Sequence, residues 1–381
     1  MSEKRIPFNR AARAGNEGAN IDRAIDEGHL AADGPFTKLC SEWLEERLGS
    51  PVLLVHSCTA ALEMSAMLEE IGPGDEVIMP SYTFVSTANA FVGRGATPVF
   101  VDVDEQTLNI DPAAAEAALS GKTRAIAPVH YAGVAAPMSE LLAIAEDSGL
   151  AVIEDAAQGL LATREGRPLG TDGRLGAISF HETKNVTCGE GGALVVNDPG
   201  LMERAEILRE KGTDRSRFFR GQVDKYTWVD GGSSYAMSEL GAAFLHAQLC
   251  AAERFTSRRL EIWDRYHSAF EEAEAAGRVR RPVVPEGCSH NAHMYYLLLR
   301  DEADRAGLIR HLDERGIGAV FHYVPLHSSP GGRRFGRAAG AMKVTDDLSA
   351  RLLRLPLWPE MEDADVDRVV TATGAWLESG R

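Results

Sequence analysis

Through the first half of the chain, short apolar runs alternate with amphipathic stretches. Val52–Val55, Val77–Met79, the run TPVFVDVD, Ala151–Ile153, Ala177–Phe180 and Ala193–Val196 are short and mostly continuous in their apolar residues. That is the pattern of strands buried on both faces. Between them lie stretches with helical spacing: Ala60, Met64, Met67, Leu68 and Ile71; then Ala88, Phe91 and Val92; then SELLAIAEDSG. Ahead of the first strand, Ile21, Ala24 and Ile25 mark one helix. Cys40, Leu44 and Leu48 mark another, entered through the turn DGPF. Strand–helix alternation predicts an α/β fold with a mostly parallel sheet covered by helices on both faces.

After Val196 the pattern loosens. A helix is expected over Leu201–Lys211, followed by the polar stretch GTDRSRFFRGQVDKYTWVDGGSSY, which has no period. A loop of that length inside a compact chain points to function or to an interface. Residues 236–275 read as one or two long helices, and beyond Arg278 come separate short strands, Tyr295–Leu299 and Ala319–His322. The expected organisation is a large α/β domain over 1–250, opened by the irregular arm RIPFNRAARAGNEG, and a smaller C-terminal α+β domain over 251–381. Apolar arms of this kind often cover a partner subunit.

Composition narrows the partners. The net charge of −16 sets the chain against nucleic acid and anionic membrane surfaces, because the summed field repels phosphates. No apolar run is long enough for a signal peptide core or a membrane span. The five cysteines, Cys40, Cys58, Cys188, Cys250 and Cys288, are scattered and form no metal-binding pattern, so no metal site is expected and a reducing cytoplasm is the natural setting.

In such sheets, ligands bind beyond the carboxyl ends of the strands. The polar residues there are Ser57–Thr59, Tyr82–Phe84, His130–Tyr131, Asp155–Gln158 and Ser179–Lys184. Taken alone, GAISFHETKNVTCGEGG is read most simply as a surface hairpin with a solvated lysine. Together, the strand ends offer an amine, an acid, an aromatic ring and a helix N-terminus, and pyridoxal 5'-phosphate (PLP) needs all four. Lys184 would form a Schiff base with the aldehyde, and Asp155 would keep the pyridinium nitrogen protonated so that the ring acts as an electron sink. Tyr82 or Phe84 would stack on the ring. Backbone N–H groups at Cys58, Thr59 and Ala60, with the Ser179 hydroxyl, would hold the phosphate.

The runs IPFNR, DGPFTK, SCTAALEM, GDEVIMPSYTFVSTANAF, PVHYAGV, VIEDAAQG, SFHETKN with GEGGA, EKGT, GSSYAMSEL, NAHMYY and VFHYVPLH cover nearly the whole chain. In them the sequence resembles the sugar-nucleotide aminotransferases of fold type I, the DegT/DnrJ/StrS group. The resemblance implies the PLP-dependent transferase fold, a homodimer with a shared active site, and Lys184 as both cofactor lysine and proton shuttle. It implies Asp155 as the pyridinium partner, Gln158 as a contact to the ring hydroxyl, Phe84 rather than Tyr82 as the stacking ring, and Thr59 and Ser179 as phosphate contacts. Where many members of the family carry an Asn that reaches the neighbouring subunit's phosphate, this chain has Ser234, with Ala236 at the following Arg position.

The run FFRGQVDKYTW is more specific than the family motifs. It implies PLP/PMP cycling between L-glutamate and a dTDP-keto sugar, dTDP-4-dehydro-6-deoxy-D-glucose, aminated at C4 to an axial product. Arg215, Arg220 and Lys225 are candidates to offset the substrate's phosphates, and His322, Tyr323 and His327 to line its sugar pocket; each equally suits a surface or interface role. An equatorial 4-amine or a 3-amine product are the nearest alternatives, and a non-catalytic ligand sensor on the same fold is a third.

Overall fold

The computed structural model describes residues 4–379. The first three residues of the expected large domain and the last two of the expected second domain lie outside them. An eight-stranded sheet forms the centre. Across it run Val52–Val55, Gly192–Val196, Leu175–Ser179, Ala151–Asp155, Thr123–Ile126, Glu76–Pro80, Thr97–Val101 and Arg337–Ala338. Every pairing is parallel except the two made by Gly192–Val196. The strands entering from the core therefore share one carboxyl edge, and Gly192, where the reversed strand begins, lies at that same edge.

Side-chain alternation along these strands feeds two faces. Leu53, Val55, Val77, Met79, Ile153 and Ala177 pack with Met64, Leu68 and Phe91 on one side. On the other side, Leu54, Ile178 and Val195 meet Leu44, Leu48 and Leu245, while Ile78, Val101 and Val152 meet Met138 and Leu141. Both faces are covered, which is why the strands read as continuous apolar runs. The helices stop and start on local signals. Pro35 opens Pro35–Leu48, and Gly49 at φ 70° closes it in the left-handed conformation that glycine adopts without strain.

A second core gathers Ile262, Trp263, Tyr266 and Phe270 against Tyr295, Leu297, Leu353, Leu355, Val366 and Val369, around a two-stranded antiparallel sheet of Tyr295–Leu298 and Leu352–Leu355. Residues 236–275 hold three successive helices, Glu239–Cys250, Ala252–Ala269 and Glu271–Ala275. The chain bends at Phe270 because that ring is anchored in the second core. The helix expected from Leu201 starts one residue later, at Met202–Arg209, and the polar stretch contains a short helix, Arg215–Phe219, that its composition did not reveal.

One expectation is corrected. Ala319–His322 is not a strand. Val320 exchanges backbone hydrogen bonds with Arg354 at 2.8 and 3.2 Å, but the chain then leaves the ladder and carries His322 and Tyr323 to the edge of the large sheet. The arm packs against its own chain: Ile6 is 1% exposed and pairs with Gly316 and Gly318 at 2.8 Å each. Among the described residues no helix is long and apolar enough to cross a membrane.

Candidate active site

Ser57, two residues past the strand Val52–Val55, is extended, and its hydroxyl accepts from the Ala60 N–H at 3.1 Å, capping the helix Cys58–Leu68. The cap occupies one of the three amides expected to face a phosphate, so Ala60 is removed from that role. The Cys58 and Thr59 N–H groups have no partner among the described residues and sit at the positive end of the helix. Close packing shapes this junction. A Cβ on Gly192 would lie 2.4 Å from the Cys58 nitrogen. Gly192→Ala is therefore expected to push the junction out of place, to weaken PLP binding at least tenfold in an absorbance titration, and to cost about 1–3 kcal/mol of stability.

Asp155, at the end of the central strand, is 5% exposed. Its Oδ2 accepts from Thr87 Oγ1 at 2.7 Å and its Oδ1 from the Ala157 N–H at 3.1 Å. Thr87 has spent its only proton on Asp155, so Thr83 Oγ1 must donate to Thr87 across 2.8 Å. The carboxylate is thus fixed with lone pairs to spare. The preceding residue, Glu154, is fully buried and accepts from the amides of Gly170, Asp172 and Gly173 at 2.6–3.0 Å and from His130 Nε2 at 2.8 Å. These bonds hold its carboxyl below the ordinary value despite burial, and they tie down the strand that delivers Asp155.

Lys184 follows the next strand, Leu175–Ser179, and its amine has neither a hydrogen bond nor an ion pair among the described residues. Burial is the largest influence on it and pushes its pKa below the usual lysine range; Cys58 and Asp155 oppose this, and Arg354 adds to it. An amine held this way is a ready nucleophile toward a carbonyl carbon.

These groups open onto one cavity of about 770 Å³, a size suited to a cofactor and a substrate together. Its lining brings together most of the residues expected from sequence: Cys58, Thr59, Phe84, Asp155, Gln158, Ser179, Lys184, His322 and Tyr323. Phe84 is 56% exposed, with its ring free to cover a ligand, whereas Tyr82 is buried beneath. Gln158 accepts from the Ala132 N–H at 2.7 Å, and its amide points at Tyr323 Oη at 3.4 Å.

The remaining candidates lie elsewhere. Arg215 pairs with Glu210 at 3.2 Å, Arg220 pairs with Glu206 at 2.8 Å, and Lys225 is exposed; none lines this chain's cavity. Ser234 bridges to Glu210 on the same outer segment. His327 is used inside the fold, between Ser81 Oγ at 2.7 Å and Asp346 at 3.4 Å. Its strong hydrogen bond to a strand-end serine is why it does not reach the pocket.

Several lining residues were not singled out from sequence: Phe8, Arg259, His293 and Arg354. Asn185 Nδ2 donates to Asn291 O at 2.8 Å, so its Oδ1 must accept from His293 Nδ1 at 3.1 Å. Burial pushes His293 well below the ordinary histidine value, which leaves a neutral ring with Nε2 as an acceptor. For Arg354 a signal was present, since it is the one charge in the apolar run LLRL.

The residues present fit pyridoxal phosphate. Free amides, a glycine-shaped junction and the Ser179 hydroxyl suit its phosphate, the fixed Asp155 its ring nitrogen, and the unpaired Lys184 its aldehyde.

Comparison with known proteins agrees. Residues 13–373 match the DegT/DnrJ/EryC1/StrS aminotransferase family. The spore coat polysaccharide biosynthesis protein SpsC of Bacillus subtilis is 35% identical over 98% of both chains. DesV of S. venezuelae, solved with a ketimine intermediate, is 31% identical, with a TM-score of 0.88 over 98% of this chain and 99% of that one. The PLP-form of Spr1654 from Streptococcus pneumoniae is 25% identical, with a TM-score of 0.90 over 99% of both. The fold is that of the type I PLP-dependent transferases, and the chain belongs to the DegT/DnrJ/EryC1/StrS family of PLP-dependent sugar aminotransferases.

Proposed function

We propose that the protein is a dTDP-4-amino-4,6-dideoxygalactose transaminase. It would move the amino group of L-glutamate to C4 of dTDP-4-dehydro-6-deoxy-D-glucose, giving dTDP-4-amino-4,6-dideoxy-D-galactose and 2-oxoglutarate. The observation that carries amino transfer is the unpaired, desolvated Lys184 amine facing the same cavity as the fixed Asp155 carboxylate. Bound PLP supplies the electron sink that lets a proton leave the carbon bearing nitrogen. Lys184 would carry that proton to and from the substrate carbon, while Thr59 and Ser179 would hold the phosphate, Phe84 would cover the ring and Gln158 would meet its hydroxyl. His322 and Tyr323 wall the sugar side.

The finer substrate rests on the outer segment. Phe219 and Trp228 are 70% and 78% exposed there, with Arg215, Arg220 and Lys225 between or beside them. Unburied aromatics with cations suit a partner subunit's active site and a nucleotide with two phosphates. That reading includes a homodimer with shared sites, Ser234 reaching across it, and a division into domains 1–250 and 251–381, for which the second core, drawn apart from Ile6 from residues beyond 260, speaks. A product used in polysaccharide assembly fits the name of the spore-coat relative.

The test is spectroscopic and stereochemical. L-Glutamate is expected to bleach the visible band of the PLP-loaded protein, and the keto sugar to restore it. Proton coupling constants of the product should show an axial amine at C4. An equatorial amine, or an amine at C3, would replace this substrate reading with its nearest alternatives.

A further inference from the structure

His293 lies two residues ahead of the strand Tyr295–Leu298, on a turn clamped by three other segments. Arg259, from the helix Ala252–Ala269, donates to the Ala292 and His293 carbonyls at 3.0 and 2.6 Å. Asn291 Nδ2 donates to the Gln158 and Leu160 carbonyls at 2.8 Å each. The Asn291 carbonyl in turn accepts from Asn185, the residue after Lys184. Asn291, Arg259 and Asn185 are all buried, so the turn is held by bonds that water does not contest.

The clamp also fixes the imidazole. Asn185 has its amide nitrogen on the Asn291 carbonyl at 2.8 Å, so it offers Nδ1 of His293, 3.1 Å away, an oxygen. Nδ1 therefore carries the ring's proton. Nε2 keeps a lone pair, has no partner among the described residues, and belongs to a ring that lines the cavity. The titratable groups facing this ring are Lys184, Arg259, Arg354 on the strand Leu352–Leu355, and His322. None is an anion, and Arg354 has no carboxylate partner among the described residues. Burial, with these cations, keeps the ring neutral.

Amino transfer brings in a proton that needs such an acceptor. An amino acid arrives as an ammonium, and its nitrogen attacks only after losing one proton. In the proposed mechanism Asp155 faces the ring nitrogen and Lys184 is bonded to the aldehyde at that moment. Glu190 and His181 stand at the mouth, 3.7 Å apart, with side chains 75% and 41% exposed. His293 and His322 remain, and only at His293 do the neighbours' bonds fix which nitrogen is bare. Its low basicity is no bar. The ammonium enters the same desolvated space, which weakens its hold on a proton as it does that of Lys184. The transfer moves one positive charge between two nitrogens and leaves the cavity's total unchanged.

We propose that His293 Nε2 is the base that takes the proton from the incoming amino donor, with Asn185 as the positioning residue that fixes its tautomer. An ammonium N–H bond breaks, an Nε2–H bond forms, and the freed lone pair attacks. The imidazolium returns the proton to the new amine as the aminated product leaves, so the cycle balances without oxidant or reductant. The proposal rests on the amino-acid donor assigned above.

Nitrogen NMR of the unloaded wild-type protein reads the tautomer without any variant, and is expected to show Nδ1–H with Nε2 bare. The kinetic test uses PLP-loaded wild type, His293→Gln, His322→Gln and Asn185→Asp. Bleaching is followed in single turnover with L-glutamate and with aminooxyacetate, whose nitrogen is unprotonated at neutral pH and needs no base. His293→Gln is expected to lose about 10²-fold in rate with glutamate at neutral pH and little with aminooxyacetate. The glutamate loss should shrink as pH rises and free amine accumulates. Asn185→Asp places a carboxylate on Nδ1–H, favours the imidazolium, and should move the acid limb of the glutamate rate to higher pH. Equal losses with both nucleophiles, a pH-rescued loss in His322→Gln in place of His293→Gln, or an Nε2–H ring would each overturn the assignment. If wild-type protein is not bleached by glutamate, the donor reading itself fails and the proposal falls with it. If wild type and His293→Gln bleach alike, only His293 is misassigned.

Discussion

Lys184→Ala is expected to abolish turnover, lowering kcat by about 10⁴-fold or more, because no neighbouring group can take over both of its tasks. In the proposed mechanism its amine would both bond the cofactor aldehyde and carry the proton. His293 is neutral and could accept a proton, but an imidazole held by Asn185 cannot form the bond to the aldehyde. The measurement is steady-state transfer from glutamate to the keto sugar, and wild-type activity in the variant would sink the mechanism.

The same substitution separates function from stability. Burial depresses the Lys184 pKa, so below the depressed value the folded, unloaded protein bears the full cost of a desolvated ammonium. Between that value and the unfolded lysine pKa of about 10.4, the unfolded state binds more protons than the folded one, and wild-type stability rises with pH. Unloaded Lys184→Ala should therefore melt above wild type at neutral pH, with the gap closing as pH rises toward 10. A melting temperature that falls in the variant at neutral pH would contradict the desolvation argument.

Asp155→Asn is expected to cost about 10²–10³-fold in kcat, since the ring nitrogen loses the charge that keeps it protonated. The side chain keeps its shape, but one carboxylate oxygen becomes an NH₂. Thr87 Oγ1–H and the Ala157 N–H both donate to Asp155, so one of them must then face another donor. The mismatch should destabilise the fold by about 1–3 kcal/mol. Turning Thr83 and Thr87 around would relieve it only by leaving Thr83 to accept. Thr87→Val removes one bond and no charge, so its effect on kcat should be far smaller. Comparable losses in the two variants would mean that Asp155 acts through packing rather than through charge.

The sheet was legible because its strands are buried on both faces. Runs such as Val52–Val55 and Ala151–Ile153 need no tertiary information to be read as interior strands. Their polar ends marked Thr59, Asp155, Ser179 and Lys184 for the same reason, since a parallel sheet puts successive strand ends along one edge. At Ala60 the sequence shows a cap and an anion cradle in the same residues, and only the Ser57 hydroxyl bond to its N–H shows that amide occupied. His327 looked like its neighbours His322 and Tyr323, but a short bond to Ser81 holds it elsewhere.

What the sequence determined by itself was the α/β architecture, the placement of Lys184 and Asp155 at strand ends that share one cavity, and, through the resemblance, the family. These depend on local periodicity and on residue type at strand ends. Tertiary structure alone decided that the arm lies against its own chain, that Ala319–His322 leaves the sheet, and that Thr87, His293 and Arg354 belong to the site. Each of those depends on contacts between segments tens to hundreds of residues apart. A buried charge such as Arg354 declares itself only when the surrounding space is seen to hold no counter-charge.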